Sequence, residues 1–405
     1  MRIAITGIGI LSPLGIGRDN FWQAMMNGEN GFKKITLFDT SPFRVSVGGE
    51  IDFDPSEFLG KKGLRDIDRS TRLICSAARL AIDDSNLVID EDKTYSTGVS
   101  IGTTFGSLHS ISQFDRVGLI EGPRFVNPSH FPNTVINSPA SHVSIRFHIK
   151  GFNTTISTGF CSSLDAVFYG SNFIRMKRAR VVLAGGVEEL CEETFMGFYM
   201  LRCLSGLDGS EPTSCPFDKR RNGFIFSEGA GIVVLEDEKN ALERGAEVLA
   251  VLKGYGNAFD TEAEIGFNYN GNGLKEAIDI ALREASLSPS DIGCIISCAN
   301  STKGLDRLET MALKNALGND AYRIPITSIK SMIGESYSAS GIMSLSAAVE
   351  VLQKKTIPPT INYEIRDPEC DLDYVYGSPR DAEVSNILIT AADPYGQNSA
   401  VIIGR

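Results

Sequence analysis

One local pattern occurs twice in this chain and limits the folds that it can adopt. At 154–176 a stretch of β-forming residues passes through small residues into a helical pattern, and 324–352 repeats this order with a helix rich in alanine and serine. Strands alternate with helices around the first copy, and this alternation restarts near residue 246. We therefore predict an internally duplicated α/β fold whose halves, residues 1–245 and 246–405, share one compact body.

A glycine pair near the N-terminus suggests a different fold. Gly7 and Gly9 follow β-forming residues, as in a dinucleotide-binding loop, but Ser12 stands where the third glycine of that motif belongs. No acidic residue follows a second strand at the expected distance. We interpret the pair as a tight turn at the end of the first strand.

Composition excludes several classes of function. The 39 Lys and Arg against 50 Asp and Glu give a net charge of −11, which argues against broad binding to nucleic acid or anionic membranes. The eight cysteines include no CxxC pair and have no histidine at zinc-ligand spacing, so we expect neither a metal nor another cofactor. No apolar run nears the roughly 20 residues that span a bilayer. Without a signal-peptide pattern, we expect a cytoplasmic protein with reduced thiols.

Cys161 lies at the first of the two strand-to-helix corners. Gly159, Ser162 and Ser163 are small neighbours that allow a sharp turn presenting the thiol. A thiol at a helix N-terminus is favoured as the thiolate by the helix dipole. The alternative is a buried structural cysteine, which is the common environment of a free cysteine. The corner favours the nucleophile.

On several segments the chain resembles the elongating β-ketoacyl-acyl-carrier-protein (ACP) synthases. The run around Cys161 resembles their active-site cysteine motif, and 216–231 is specific enough to identify the family alone. The resemblance extends from residue 1 to residue 405 and implies a thiolase-like fold with five layers in the order α-β-α-β-α. The segments that carry it are 157–166, 216–231, 330–334, 358–362 and 400–405.

The resemblance also implies a chemistry for which two residues are missing. Members of that family join an acyl chain, held on the cysteine, to malonyl-ACP, and two histidines of the C-terminal half assist decarboxylation. Here Cys298 and Glu335 stand at the positions of those histidines, and all four histidines of the chain precede Cys161. The implied catalytic set is therefore Cys161, Cys298, Glu335 and Lys330.

The C-terminal loop departs from the family as well. The family has a Phe-Gly-Phe-Gly-Gly type turn whose second Phe gates the pocket and donates a backbone N–H to the oxyanion hole. Pro394, Tyr395 and Gly396 occupy this place, and Pro394 falls on that Phe. Proline has no N–H to donate, and loss of one such donor lowers the rate about 100- to 1000-fold. We therefore predict that the chain alone condenses poorly.

The residues leave the role of the site open. Lys330 is either a catalytic cation or half of a structural ion pair with Glu309 or Glu335, and a disulfide between Cys161 and Cys298 depends on geometry. One function is a chain-length-factor-like partner of an active ketosynthase. A second is an acyltransferase or hydrolase that works through Cys161 with Glu335 as base. The third is an active 3-oxoacyl-ACP synthase with substitute groups.

The implied partners are an acidic ACP and a second subunit. The resemblance implies a dimer, either a homodimer or a heterodimer with an active ketosynthase, formed through the strand near 180–184. A second basic run at 175–180 is interpreted as a solvated helix end or as a further docking surface. The basic residues near the family's ACP-docking positions are Lys61, Lys62, Arg65, Arg69 and Arg202.

Overall fold

A long mixed β-sheet organises the chain, and helices cover it. The computed structural model describes residues 1–263 and 270–405. The strands are β1 (Ile3–Ser12), β2 (Gly15–Ile16), β3 (Lys33–Lys34), β4 (Val47–Gly48), β5 (Thr97–Gly102), β6 (Asn153–Ile156), β7 (Val181–Glu188), β8 (Gly229–Asp237), β9 (Ala250–Phe259), β10 (Cys294–Ile296), β11 (Ile326–Thr327), β12 (Thr356–Ile357), β13 (Arg380–Asp381), β14 (Asn386–Ala392) and β15 (Gln397–Gly404).

The helices follow the predicted corners and the apolar periodicity of the sequence. They are α1 (Arg18–Met26), α2 (Pro55–Leu59), α3 (Arg69–Asp84), α4 (Leu108–Ile120), α5 (Ser138–Arg146), α6 (Ser162–Arg175), α7 (Glu192–Met200), α8 (Glu238–Glu243), α9 (Asn272–Ala285), α10 (Lys303–Leu317), α11 (Lys330–Ile333) and α12 (Ser340–Lys354). Among the helices of the described ranges, none combines the length and apolar character that crossing a membrane requires.

The order of the strands shows the duplication directly. The main sheet runs β11-β10-β14-β15-β9-β1-β8-β7-β5-β6. Its N-terminal part, β6-β5-β7-β8-β1, has the same order of successive strands as its C-terminal part, β11-β10-β14-β15-β9. The two parts meet where β1 pairs antiparallel with β9, with Ile3 opposite Leu252. The predicted internal duplication is therefore confirmed.

Helices form three layers around the two half-sheets. α3 and α5 pack on the outer face of the N-terminal half-sheet, and α9, with α10 beside it, packs on the C-terminal one. α6 and α12 contact each other between the halves, and α12 touches both β8 and β14. Residues 340–352 of α12 are all buried, as expected for a helix that is apolar or small on every side. This arrangement confirms the predicted five layers.

The glycine pair of β1 serves close packing, so the interpretation as a tight turn was wrong. Gly7 and Gly9 lie inside β1, and a Cβ on Gly9 would come within 1.9 Å of the carbonyl oxygen of Ala77 in α3. The second half repeats this contact, because a Cβ on Gly256 of β9 would lie 1.8 Å from the carbonyl oxygen of Ala277 in α9. Glycine lets each helix backbone approach its strand.

The strand expected at the dimer interface lies inside the sheet. β7 contains 181–184 and pairs with β5 on one side and with β8 on the other. Both of its hydrogen-bonding edges are therefore occupied, and it cannot pair with a second subunit. β6 is the edge strand of the N-terminal half-sheet. The expected contact near 180–184 was wrong.

Candidate active site

Cys161 lies between β6 and α6 and is completely buried. Its thiol donates to the carbonyl oxygen of Gln397 at 3.5 Å, and its backbone N–H donates to the carbonyl oxygen of Thr158 at 3.2 Å. The corner depends on Gly159, whose φ is +60° and whose Cβ, if present, would lie 1.8 Å from Oδ2 of Asp393. Both the turn and the close carboxylate therefore require glycine here.

The surroundings of Cys161 favour the neutral thiol. Burial raises the pKa of Cys161 well above its ordinary value, and the charges of Asp165 and Asp393 and the thiol of Cys298 raise it further, while Ser399 acts in the opposite sense. Asp165 accepts hydrogen bonds from the hydroxyl groups of Tyr255 and Ser399. This differs from the expectation that the helix N-terminus favours the thiolate, because burial disfavours the charged form of the sulfur.

The loop between β14 and β15 places a carboxylate against this corner. Asp393 accepts the backbone N–H of Phe160 at 3.1 Å and that of Tyr395 at 2.9 Å. Pro394 has no N–H, and Gly396, with φ +103°, closes the turn. The N–H groups of Phe160 and Tyr395 are thus occupied by the Asp393 carboxyl group and are not free to stabilise an oxyanion beside the thiol.

Glu335, which the sequence alignment with the family places at the second histidine, forms a closed set of contacts. The carboxylate is fully buried, and its Oε2 accepts from Nζ of Lys330 at 2.7 Å and from Nδ2 of Asn300 at 2.9 Å. Its Oε1 accepts the backbone N–H of Tyr337 at 3.0 Å and the hydroxyl of Ser340. Because a carboxylate offers about four lone-pair sites, these donors occupy them all. Lys330, 3% exposed, is therefore half of an ion pair with Glu335.

Cys298 is held by a different carboxylate. It follows β10, and its N–H donates to Glu309 at 3.0 Å and to the hydroxyl of Thr390 at 3.1 Å. Burial and the charge of Glu309 raise the pKa of Cys298 well above its ordinary value. Glu309 also accepts the N–H of Ala299 at 2.9 Å, so it orients this loop and does not pair with Lys330. Cys298 and Cys161 are both free thiols, and the disulfide considered from the sequence is not formed.

A cavity of about 400 Å³ lies in front of the corner. We call it the aromatic cavity, because Phe160, Phe198, Phe224 and Tyr337 form much of its wall. Cys161 is not among the residues that line it, so this cavity stops short of the thiol. Pro394, Tyr395, Asn300 and Thr302 line it as well, together with Cys203 and the exposed cations Arg202 and Lys303.

No histidine replaces the missing ones. All four histidines lie in the described part of the chain, and none of them hydrogen-bonds to Cys161, Cys298 or Glu335 there. His109 belongs to α4, and its Nδ1 lies 3.1 Å from Oε2 of Glu193. His109 and His130 line a different cavity, of about 380 Å³.

Sequence reasoning missed three residues of the site, Asn300, Tyr337 and Asp393. Only Tyr337 carries a local signal, because it is the one large side chain in the run of Ser, Ala and Gly at 336–341. The contacts of Asn300 and Asp393 join segments that are far apart in the chain, and no sequence pattern indicates them.

The basic residues assigned to ACP docking have different surroundings. Lys61, Lys62 and Arg65 are exposed, as is Arg202 at the aromatic cavity. Arg69 instead donates Nε to Glu228 at 2.7 Å and Nη2 to the carbonyl oxygen of Ile51. Its guanidinium is bound within the fold. In the second basic run Arg175 pairs with Glu284, while Lys177, Arg178 and Arg180 are exposed.

Comparisons with known proteins cover the whole chain. Residues 1–241 match the family model described as Beta-ketoacyl synthase, N-terminal domain, and residues 249–364 match the one described as Beta-ketoacyl synthase, C-terminal domain. The chain is 33% identical over 407 residues to 3-oxoacyl-acyl-carrier-protein synthase 2 of Coxiella burnetii, covering 100% of this chain and 98% of the relative. It is 36% identical over 414 residues to the tetracenomycin polyketide synthase ketoacyl synthase alpha subunit of Streptomyces glaucescens, covering 100% and 97%.

Solved structures are similar over the same extent. The ishigamide ketosynthase/chain length factor superposes with a TM-score of 0.93 at 29% identity, covering 100% of this chain and 98% of that chain. A type II polyketide acyl-carrier protein in complex with its ketosynthase bound to the hexaketide contains a chain with a TM-score of 0.90 at 28% identity, covering 100% and 98%. These likenesses confirm the predicted thiolase-like architecture.

Proposed function

Because the chain belongs to the β-ketoacyl synthase family, we propose that it is a chain-length-factor-like partner of an active ketosynthase. In this role it takes part in fatty-acid or polyketide assembly and binds an acyl chain that ACP delivers. It contributes little decarboxylative condensation of its own. The active partner supplies the cysteine and the histidines that the reaction uses.

The observation that carries this proposal is the occupied carboxylate of Glu335. A general base needs a free lone pair within hydrogen-bond distance of the proton that it takes. The two oxygens of Glu335 already accept from Lys330, Asn300, Tyr337 and Ser340. A carboxylate also offers no N–H to a developing enolate. Glu335 therefore replaces the histidine of the family in position but performs neither of its roles.

A Cys161-dependent acyltransferase is the second candidate, and the retained cysteine at the corner favours it. Thiolate attack on a thioester needs neither decarboxylation nor both histidines. The raised pKa of Cys161 and the carboxylate of Asp393 oppose it, because each disfavours negative charge at the sulfur or at the tetrahedral oxygen. We therefore rank it second.

Charge supports the delivery of the chain by ACP. Arg202 and Lys303 are exposed residues at the aromatic cavity, and among the described residues no acidic side chain lines that cavity. Lys61, Lys62 and Arg65 add positive charge on the exposed surface before α3. An acidic carrier is attracted to such a surface although the chain as a whole has a net charge of −11. Arg69 is left out of this docking set because Glu228 holds it.

The edge of β6 is the surface that we propose for the partner ketosynthase. β6 pairs with β5 on one side only within the described sheet, and an unpaired edge can add a strand of another chain. Exposed apolar side chains at and after α4 provide a further surface that contact with protein would cover: Leu119, Ile120, Phe125 and Phe131.

Reconstitution with a ketosynthase tests the proposal. The chain is co-expressed with a ketosynthase that has the intact Cys-His-His set, and the purified mixture receives acyl-ACP and malonyl-ACP. Intact-mass spectrometry then follows β-ketoacyl-ACP. We expect product from the mixture and almost none from this chain alone. Cys161→Ala should leave the mixture active, whereas alanine at the partner's nucleophilic cysteine should abolish the product.

Two results would contradict the proposal. One is robust condensation by the isolated chain that disappears in Cys161→Ala. The other is rapid acylation of Cys161 in the isolated wild type, slowed in Glu335→Gln, which would establish the acyltransferase and make Glu335 its base.

A further inference from the structure

We propose that Tyr337 closes the route from the aromatic cavity to the Cys161 thiol and so prevents the covalent transfer of a bound acyl chain. The inference rests on the proposed function only for the identity of the ligand. The closure itself is a property of the isolated chain. With the route closed, an acyl chain binds while it stays attached to its carrier. With the route open, the chain could be transferred to the sulfur of Cys161.

The ring of Tyr337 stands at the inner end of the cavity. It lines the cavity, yet only 6% of the residue is exposed. It stacks on Phe105 with ring centroids 5.1 Å apart, and its edge contacts Phe160 at 4.6 Å and Phe198 at 5.4 Å. A ring held from three sides cannot turn aside without displacing its neighbours.

The thiol belongs to the residue that is next to this contact in the chain. Phe160, the partner of Tyr337 in the closest of these ring contacts, precedes Cys161 in the chain and also lines the cavity. Cys161 is 0% exposed and does not line it. The pair Phe160 and Tyr337 therefore separates the cavity from the sulfur.

Hydrogen bonds of Tyr337 and of the next residue fix the backbone of Tyr337. Its φ of +49° is left-handed, a conformation that large side chains rarely adopt. Its N–H is held by Glu335 at 3.0 Å, and Glu335 is in turn held by Lys330. The next residue, Ser338, hydrogen-bonds to the hydroxyl of Thr104 at 2.8 Å. The strained backbone is thus maintained by its surroundings, which indicates that the position of the ring is specified.

Alkylation of cysteines measures the closure without ACP or a partner. With iodoacetamide, the sulfur of Cys161 forms a bond to the methylene carbon, the carbon–iodine bond breaks, iodide leaves, and the thiol proton passes to solvent. Cys203 lines the same cavity in front of Tyr337 and reports whether the reagent enters. Cys294 in β10 is fully buried and reports whether the fold has loosened. Peptide mass spectrometry follows all three thiols in one sample.

Three variants separate closure from other effects. Tyr337→Gly removes the ring at a left-handed position that glycine adopts without strain. Tyr337→Phe keeps the ring and removes only the hydroxyl. Phe224→Ala enlarges the cavity at a residue that packs on Phe198, with centroids 5.3 Å apart, and leaves the ring of Tyr337 in place.

We expect Cys161 to be alkylated about tenfold or more faster in Tyr337→Gly than in the wild type, where reaction requires a local opening. Cys161 should react at the wild-type rate in Tyr337→Phe and Phe224→Ala. Cys203 should not change in the two Tyr337 variants, and Cys294 should not change in any variant. The proposal is overturned if wild-type Cys161 reacts as fast as Cys203. It is also overturned if Tyr337→Gly leaves Cys161 unchanged, or accelerates Cys161 and Cys294 equally. None of these outcomes depends on whether the chain partners a ketosynthase.

Discussion

Replacement of Glu335 by glutamine tests the ion pair at the centre of the site. Glutamine keeps the shape of the side chain and one oxygen acceptor but leaves the ammonium of Lys330, 3% exposed, without a counter-charge. Removal of one partner from a buried pair typically costs about 3–5 kcal/mol. For a chain of 405 residues the unfolding entropy is about 0.85 kcal/mol/K, so we expect a fall in Tm of about 4–6 °C.

Thermal unfolding at a fixed scan rate measures this shift, and a second ion pair gives the matched control. Lys355 pairs with Glu383 at 2.7 Å on the surface, where both side chains are more than half exposed. Glu383→Gln makes the same chemical change in water, and we expect no resolvable shift of Tm because exposed pairs contribute little.

The double variant Lys330→Met with Glu335→Gln isolates the uncompensated charge. Methionine has a similar length without the ammonium, so the double variant should be more stable than Glu335→Gln alone. The reasoning is refuted if Glu335→Gln melts within about 1 °C of the wild type, which corresponds to less than about 1 kcal/mol. It is equally refuted if the double variant is no more stable than the single one.

Two further predictions concern charge elsewhere. Burial, with the nearby charge of Asp68, raises the pKa of Glu189 to about 8. The folded chain then holds a proton that the unfolded chain loses near the ordinary pKa, so stability falls as pH rises from about 5 to 8. In Glu189→Gln the dependence of Tm on pH over this range should be flatter, and an unchanged slope would contradict the assignment. Separately, Arg202→Glu and Lys303→Glu should weaken ACP binding at low salt more than at high salt, measured by titration at two ionic strengths. Arg69→Ala should lower Tm instead, and unchanged binding in both reversals would exclude this surface.

The sequence was sufficient where one short segment carries the information. The motif at 216–231 and the corner at Cys161 identified the family, and the repeat of that corner predicted the duplicated fold. Glu335 and Lys330 are only five residues apart in the chain, so the sequence alone offered their pairing as an alternative. Local spacing of this kind determines local geometry.

Contacts between distant segments could not be predicted. Gly7 and Gly9 resemble the glycines of a turn. Only the position of Ala77 in the packed α3 shows that these glycines allow the helix backbone to approach β1 closely. The sequence shows that Pro394 brings no N–H to this loop, but it does not show that the carboxylate of Asp393 binds the N–H of Phe160 across the fold. Order within the sheet likewise decided that β6, and not β7, lies at the edge.

The glutamate aligned with the second histidine and the closure proposed for Tyr337 are linked in the structure. Glu335 is bound to Lys330, and the same carboxylate holds the N–H of Tyr337, whose ring contacts that of Phe160, the residue before Cys161. Glu335→His alone would therefore not restore the family's reaction. It would leave Lys330 buried without its partner and remove the acceptor that fixes Tyr337, while Asp393 would still bind the N–H groups at the corner. Restoring the family's reaction would therefore require more than one imidazole. The ion pair of Glu335, the ring of Tyr337 and the loop of Asp393 would each have to change as well.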